Sequence, residues 1–208
     1  MLRVGLTGGV GCGKTTVAAM MRELGCVVLD ADAVAHRLIE PGQPAYHEIV
    51  REFGASLRGP AETGGRIDRA ALAAIVFADP ARLERLNHIV HPRVVEALHA
   101  ELAALARQQP RAIAVVEAAL LIESSYHERL DCVVVVWCEP EQQIERLVHR
   151  NLGRGLTREQ AEQRVAAQMR LDQKRRMADY EIDGSGPLEI TRRQVETLVV
   201  RLKQLAAA

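Results

Sequence analysis

Aromatic residues are scarce in this 208-residue chain, which has two Phe, one Trp and three Tyr. So few rings exclude a platform on which successive bases of a single-stranded nucleic acid would stack. Surplus charge is missing as well: 27 Lys+Arg balance 27 Asp+Glu. Nothing excess-basic is left to neutralise a run of phosphates or an anionic lipid surface. Long apolar runs are also lacking. Ala70–Ala78 and Cys132–Cys138 are the longest, both far short of a membrane span. Met1-Leu2-Arg3-Val4-Gly5-Leu6 leads directly into a glycine motif rather than a cleavable leader. The expectation is a cytoplasmic protein with no nucleic-acid, membrane or obligate protein partner.

The four cysteines, at 12, 26, 132 and 138, form no C-x-x-C pair. Three of them lie in or beside strand-like stretches, where a thiol serves as a small buried hydrophobe, so neither disulfides nor structural zinc are expected. His88 and His91 fall on one helix face, but no carboxylate or cysteine completes a ligand set with them. Lysine is rare among the basic residues, occurring only at 14, 174 and 203.

What is present is an alternation of short β-branched runs with longer helical patterns. Leu2–Leu6, Cys26–Leu29, Ile113–Val116, Val133–Trp137 and Tyr180–Ile182 read as strands, and their unbroken apolar character is that of parallel strands covered on both faces. Thr15–Leu24, Pro140–Arg150, Arg158–Arg170 and Thr191–Leu205 carry apolar residues at three- and four-residue spacing, as amphipathic helices do. The fold class is therefore α/β, with a parallel five-stranded sheet flanked by helices. The chain reads as a single domain over 1–208, with a helical insertion from about 43 to 109 suited to holding a substrate.

The first strand runs into Gly8-Gly9-Val10-Gly11-Cys12-Gly13-Lys14-Thr15, which satisfies G-x-x-x-x-G-K-[ST] with a helix immediately behind it. Glycines let backbone N–H groups curl around phosphate oxygens, and the helix N-terminus adds the positive end of its dipole. Lys14 reaches the β- and γ-phosphates, and the Thr15 hydroxyl is placed for Mg²⁺. Cys12 stands where a small hydroxylic residue would serve equally. It is either a tolerated small side chain or a thiol whose pKa is lowered by loop N–H groups and Lys14.

The second strand ends in Asp30-Ala31-Asp32. In an open α/β sheet ligands sit beyond the carboxyl ends of the strands, so these acids are candidates to accept a hydroxyl proton, order Mg²⁺, or cap the following helix. Glu117, at the end of the third strand, and Glu123 are each as suited to helping hold Mg²⁺ as to a surface position. Arg146 and Arg150 lie four apart on one helix, followed by Asn151-Leu152-Gly153-Arg154-Gly155 and a second helix capped by Thr157 with Gln160. This helix, glycine hinge and helix, from about 140 to 170, has the form of an arginine-bearing lid over a triphosphate, the alternative being a solvated helix face on which the arginines pair with Glu141, Glu145 and Glu159.

Together these residues resemble one family, the dephospho-coenzyme A kinases, over nearly the whole chain. The segment Leu6 to Thr16 is similar to that family's phosphate loop, and Leu29-Asp30-Ala31-Asp32 to its D-A-D segment. Gly65-Arg66-Ile67-Asp68-Arg69 and Leu86-Asn87-His88-Ile89-Val90-His91-Pro92 resemble its acceptor-side signatures, and Gln143-Ile144-Glu145-Arg146-Leu147 its lid. The resemblance implies a nucleoside-triphosphate-hydrolase-like P-loop fold and phosphoryl transfer from MgATP to the ribose 3′-hydroxyl of dephospho-coenzyme A. It implies Asp32 as general base, with Lys14 and Arg146 also catalytic. ATP would be bound by Gly9, Gly11, Cys12, Gly13, Lys14, Thr15, Thr16, Arg146 and Arg150, and the acceptor by Thr7, Asp32, Arg69 and His91. Mg²⁺ would be held by Thr15, with Asp32 a further candidate. Two positions depart from the family pattern: Ala119 stands where proline is usual, and Gly184 where asparagine is expected near the adenine.

A nucleoside or nucleoside-monophosphate kinase would share loop, acid and lid. A guanine-nucleotide switch would need N-K-x-D, and no such tetrapeptide exists here.

Overall fold

A computed structural model of the chain describes residues 1–60, 64–149 and 156–207. Two units are distinguished, Met1–Asp30 with Ala103–Ala208, and Ala31–Leu102. The second starts and stops earlier than the insertion expected at about 43–109.

The first unit is built on five parallel strands: β1 (Leu2–Gly8), β2 (Val27–Asp30), β3 (Ile113–Glu117), β4 (Cys132–Trp137) and β5 (Tyr180–Asp183). Their order is β2-β3-β1-β4-β5. All four ladders are parallel, with Leu6 opposite Glu117 and Val134 in the two ladders of β1. From β1 the chain crosses to the β2 edge, returns through β3 and then continues on the other side of β1. This reversal opens a crevice beyond the carboxyl end of the central strand. Val4, Leu6, Val115, Val134 and Val136 are buried at the sheet centre, which is why these strands are continuously apolar rather than alternating.

Helices α1 (Lys14–Glu23) and α9 (Leu188–Ala207) supply Val17, Met21, Val195, Leu198 and Leu202 to the same core. Each such side chain, fully buried, contributes roughly 1.5–3 kcal/mol relative to exposure. α6 (Pro140–His149) follows β4; α7 (Arg158–Ala166) opens with a complete capping box between Thr157 and Gln160, as its sequence predicts. The helix expected to continue to Arg170 instead ends at Ala166 and restarts as α8 (Leu171–Arg176). In the break the Met169 N–H donates to Glu123 Oε1 at 3.1 Å instead of to a helical carbonyl.

The second unit holds α2 (Ala31–Leu38), α3 (Pro44–Phe53), α4 (Arg69–Phe77) and most of α5 (Pro80–Gln108). Its own core is made of Tyr46, Ile49, Phe53, Leu57, Ile67, Leu72, Val76 and Ile89. Asp68 caps α4 by accepting from the Ala70 and Ala71 N–H groups, both at 3.0 Å.

Candidate active site

β1 delivers the glycine motif to the sheet's carboxyl edge, where it packs against Gln143 of α6. A Cβ at Gly9 would stand 2.1 Å from Gln143 Nε2. One at Gly11, whose φ is 82°, would lie 2.8 Å from the Gln143 carbonyl oxygen, a backbone atom, so this position requires glycine. The Val10 peptide is held at both ends. Its carbonyl accepts from Gln143 Nε2 at 3.0 Å, and its N–H donates to Gln168 Oε1 at 2.9 Å. Gly13, with φ 93°, ends the loop as the N-cap of α1 and provides no side-chain cap for the helix. The first turn of α1, with Thr15 and Thr16 exposed, thus has the form of a phosphate site.

Lys14 opens α1 with its ammonium 3.8 Å from Glu117 Oε1, the side chains being 15% and 7% exposed. Glu117 closes β3 in register with Asp30 of β2. A lysine and two carboxylates therefore gather at adjacent strand ends. Of the two roles open to Glu117, a surface strand end is excluded by its burial, while Glu123 is engaged elsewhere, 2.8 Å from the buried Lys174 ammonium. Among the described residues at this strand edge, the Thr15 hydroxyl and the carboxylates of Asp30 and Glu117 are oxygen groups of the kind a hard cation takes. Among the described residues no group of three or more His, Cys, Asp and Glu is placed to hold a metal ion by itself.

Cys12 points into the core. Its Sγ accepts a hydrogen bond from the Cys138 thiol at 3.4 Å, and both residues are 1% exposed. That bond holds the Cys12 thiol below its ordinary pKa against the opposing effect of burial, with the Arg146 charge acting in the same sense. Cys138, the donor, is pushed far up. The Cys12 side chain cannot touch nucleotide from this position, so any contact there is made by its backbone.

Arg146 lies against the loop. Its guanidinium donates to the Gly184 carbonyl at 2.7 Å and to the Gly11 carbonyl at 3.5 Å, joining the phosphate loop to the turn after β5. Gly184 has a steric reason of its own: a Cβ there would meet the Cys12 carbonyl oxygen at 2.5 Å. Arg150 lies outside the described residues. Thr7, expected to touch the acceptor, is fully buried and donates its hydroxyl to the Ala119 carbonyl at 3.3 Å. Its place is beneath the loop rather than on its surface.

Within the second unit Asp32 is exposed in the first turn of α2, two residues after β2 ends. Arg69 is exposed at the start of α4, 3.4 Å from Glu40 Oε1, while Arg66 reaches Glu40 Oε2 at 2.8 Å. His91 is exposed on α5. Gln143 and Gln168 were missed from the sequence. Gln143 had a signal, a polar residue on the apolar face of its helix; Gln168, in a break read as helix, had none.

Three comparisons bear on this arrangement. A family model described as dephospho-CoA kinase matches residues 2–189. The dephospho-CoA kinase of Symbiobacterium thermophilum is 47% identical over 193 residues, 93% of this chain and 78% of its own length. That of Geobacillus kaustophilus is 44% identical over 203 residues, 98% and 96% of the two chains. The crystal structure of TT1252 from Thermus thermophilus superposes with a TM-score of 0.81 at 36% identity, covering 97% of each chain. A shikimate kinase from Bacteroides thetaiotaomicron, at 19% identity and TM-score 0.52, shares the fold. With a phosphate loop seated on a parallel sheet, a lysine facing a buried acid and likeness along almost the entire length, the chain belongs to the dephospho-CoA kinase family.

Proposed function

We propose that this chain transfers the γ-phosphoryl group of ATP to the ribose 3′-hydroxyl of dephospho-coenzyme A, giving coenzyme A and ADP. The observation that carries this reading is Lys14 at the head of α1 facing Glu117, on a phosphate loop fixed from both sides, in a chain of this family.

Lys14 and the N–H groups of the loop and first turn of α1 hold the β- and γ-phosphates, so charge that develops on the transferring group meets donors already in place. Thr15, with Glu117 and Asp30 acting through water, would hold Mg²⁺, an ion that keeps several waters and binds through few protein oxygens. Mg²⁺ held there would supply positive charge that offsets the charge of the phosphates. Asp32 accepts the proton of the acceptor hydroxyl as its oxygen attacks the γ-phosphorus in line, and the bond to the ADP oxygen breaks. Asp32 is also a candidate to order the ion. Arg146 adds positive charge at the loop and ties Gly11 to Gly184. Arg69 and His91 contact the acceptor; Glu40, between Arg66 and Arg69, fixes the direction of both guanidinium groups. Full burial of Thr7, with its hydroxyl on the Ala119 carbonyl, gives it a supporting role instead of an acceptor contact.

The test is ADP release with MgATP and, in separate reactions, dephospho-coenzyme A, AMP, CMP or no acceptor, with Asp32→Asn alongside. Turnover with dephospho-coenzyme A alone, giving coenzyme A by mass and largely lost in Asp32→Asn, is the expected result. Preference for a nucleoside monophosphate would assign the site to the alternative kinase class.

A further inference from the structure

Lysine is used three times in this chain. Lys14 serves the phosphate loop, and Lys174, on α8, is buried with 0% exposure. Taking an ammonium out of water costs several kcal/mol unless it is paired and hydrogen-bonded. Lys174 has both kinds of partner: Glu123 Oε1 at 2.8 Å and the Ala119 carbonyl oxygen at 2.9 Å.

Each partner leads to the phosphate loop. The Ala119 carbonyl also accepts the Thr7 hydroxyl, at 3.3 Å, one residue before the loop begins. Glu123 Oε1 also accepts the Met169 N–H, at 3.1 Å, which holds open the helix break between α7 and α8. Gln168, the neighbouring residue in that break, accepts the Val10 N–H inside the loop at 2.9 Å. One ion pair with a buried lysine is thus connected to the chain entering the loop and to a peptide within it. A lysine suits the position better than an arginine, because a compact ammonium can donate to a carbonyl and a carboxylate at once without a planar fork to house.

We propose that Glu123 and Lys174 are positioning residues for ATP binding: together they hold the Gln168–Met169 break as a latch on Val10, and so fix the conformation in which the loop receives phosphate. Neither side chain touches a substrate. Their effect passes through Gln168, which makes the proposal distinct from a contribution to stability alone.

The proposal rests on the loop's holding ATP, and a calorimetric ATP titration of the parent protein checks that separately. The same titration, thermal melting and the KM for each substrate are then measured for Glu123→Gln, Lys174→Met, Gln168→Ala, the paired Glu123→Gln/Lys174→Met variant, and that pair combined with Gln168→Ala. Removing the carboxylate alone strands the buried ammonium, so that single variant can fail to fold; removing both relieves the penalty and keeps the test open. The expected result is ATP binding weakened about tenfold in every folded variant, with the KM for dephospho-coenzyme A changed less than about twofold. Gln168→Ala added to the paired variant should weaken ATP binding no further, because one latch is lost only once. Lys174→Arg, which keeps the charge, should recover part of the affinity. Parental ATP affinity in Gln168→Ala or in the paired variant, whatever their melting temperatures, overturns the proposal. So do losses that simply add.

Discussion

The thiols of Cys12 and Cys138 meet at 3.4 Å, one on the phosphate loop and the other just past the end of β4, with Cys138 donating. The donated hydrogen bond is the largest influence on Cys12 and stabilises its thiolate. Removing the donor leaves burial as the main influence, and burial disfavours the thiolate. Cys138→Ala should therefore move the midpoint of Cys12 thiolate formation to higher pH, followed by thiolate absorbance at about 240 nm across a pH series as the difference between variants with and without Cys12→Ser. An unchanged midpoint would show that the pair does not set the acidity of Cys12.

Lys14 and Glu117 face one another at 3.8 Å, too far for a direct hydrogen bond and close enough for strong electrostatic attraction. Lys14→Met should lower kcat/KM for ATP by about 10²–10³-fold, the usual loss for a donor aimed at developing charge. Glu117→Gln keeps shape and removes charge. If Glu117 orders Mg²⁺ through water, the Mg²⁺ concentration for half-maximal rate should rise by about tenfold, with the KM for dephospho-coenzyme A little altered. A normal Mg²⁺ requirement would confine Glu117 to fixing Lys14.

The strands, the loop and the helix behind it were legible in the sequence because each depends on local pattern: unbroken Val and Ile runs, glycines where a Cβ would strike Gln143, and Gly13 before Lys14. The break after Ala166 was not, because helical spacing continues through Arg170 and the competing partner, the Glu123 carboxylate, is distant in sequence. The acceptor contact that the resemblance implies for Thr7 meets the same limit. Its position next to a glycine motif is local, whereas its burial against Ala119 arises only when β1 and the turn after β3 come together.

Arg3 and Asp131 link the start of β1 to the turn before β4, through contacts of 2.6 and 3.2 Å between side chains and 2.7 Å from the Arg3 N–H. The Arg3 hydrogen bond holds the Asp131 carboxyl below its usual range. A lowered carboxylate pKa contributes stability above the unfolded-state value, about 3.9, and that stability is lost as pH falls through the folded-state value. The side chains are 44% and 33% exposed, so solvent screening limits the contribution to about 1 kcal/mol or less. Asp131→Asn should lower the urea midpoint at pH 7, and the gap from the parent should narrow below about pH 4 as the carboxylate is protonated. A gap that stays constant with acid would mean that the loss comes from packing alone.

Gly184 and Gly186 make an internal comparison for the turn after β5. A Cβ at Gly184 would meet the Cys12 carbonyl oxygen at 2.5 Å and the Trp137 carbonyl oxygen at 3.3 Å; one at Gly186 would find only Ile190 Cβ, at 4.0 Å. Both obstacles at Gly184 are backbone atoms, so they cannot rotate away as a side chain does. Gly184→Ala must displace either the loop or the turn, and the Arg146 hydrogen bond to the Gly184 carbonyl moves with it. Overpacking of this kind costs about 1–3 kcal/mol. The expected outcome is a lower melting temperature together with an ATP KM raised about tenfold, since the displaced atoms belong to the phosphate loop. Gly186→Ala, made in parallel, should stay near the parent in both measurements. Equal effects from the two substitutions would mean that backbone freedom of the turn, and not its contact with Cys12, is what the glycines provide.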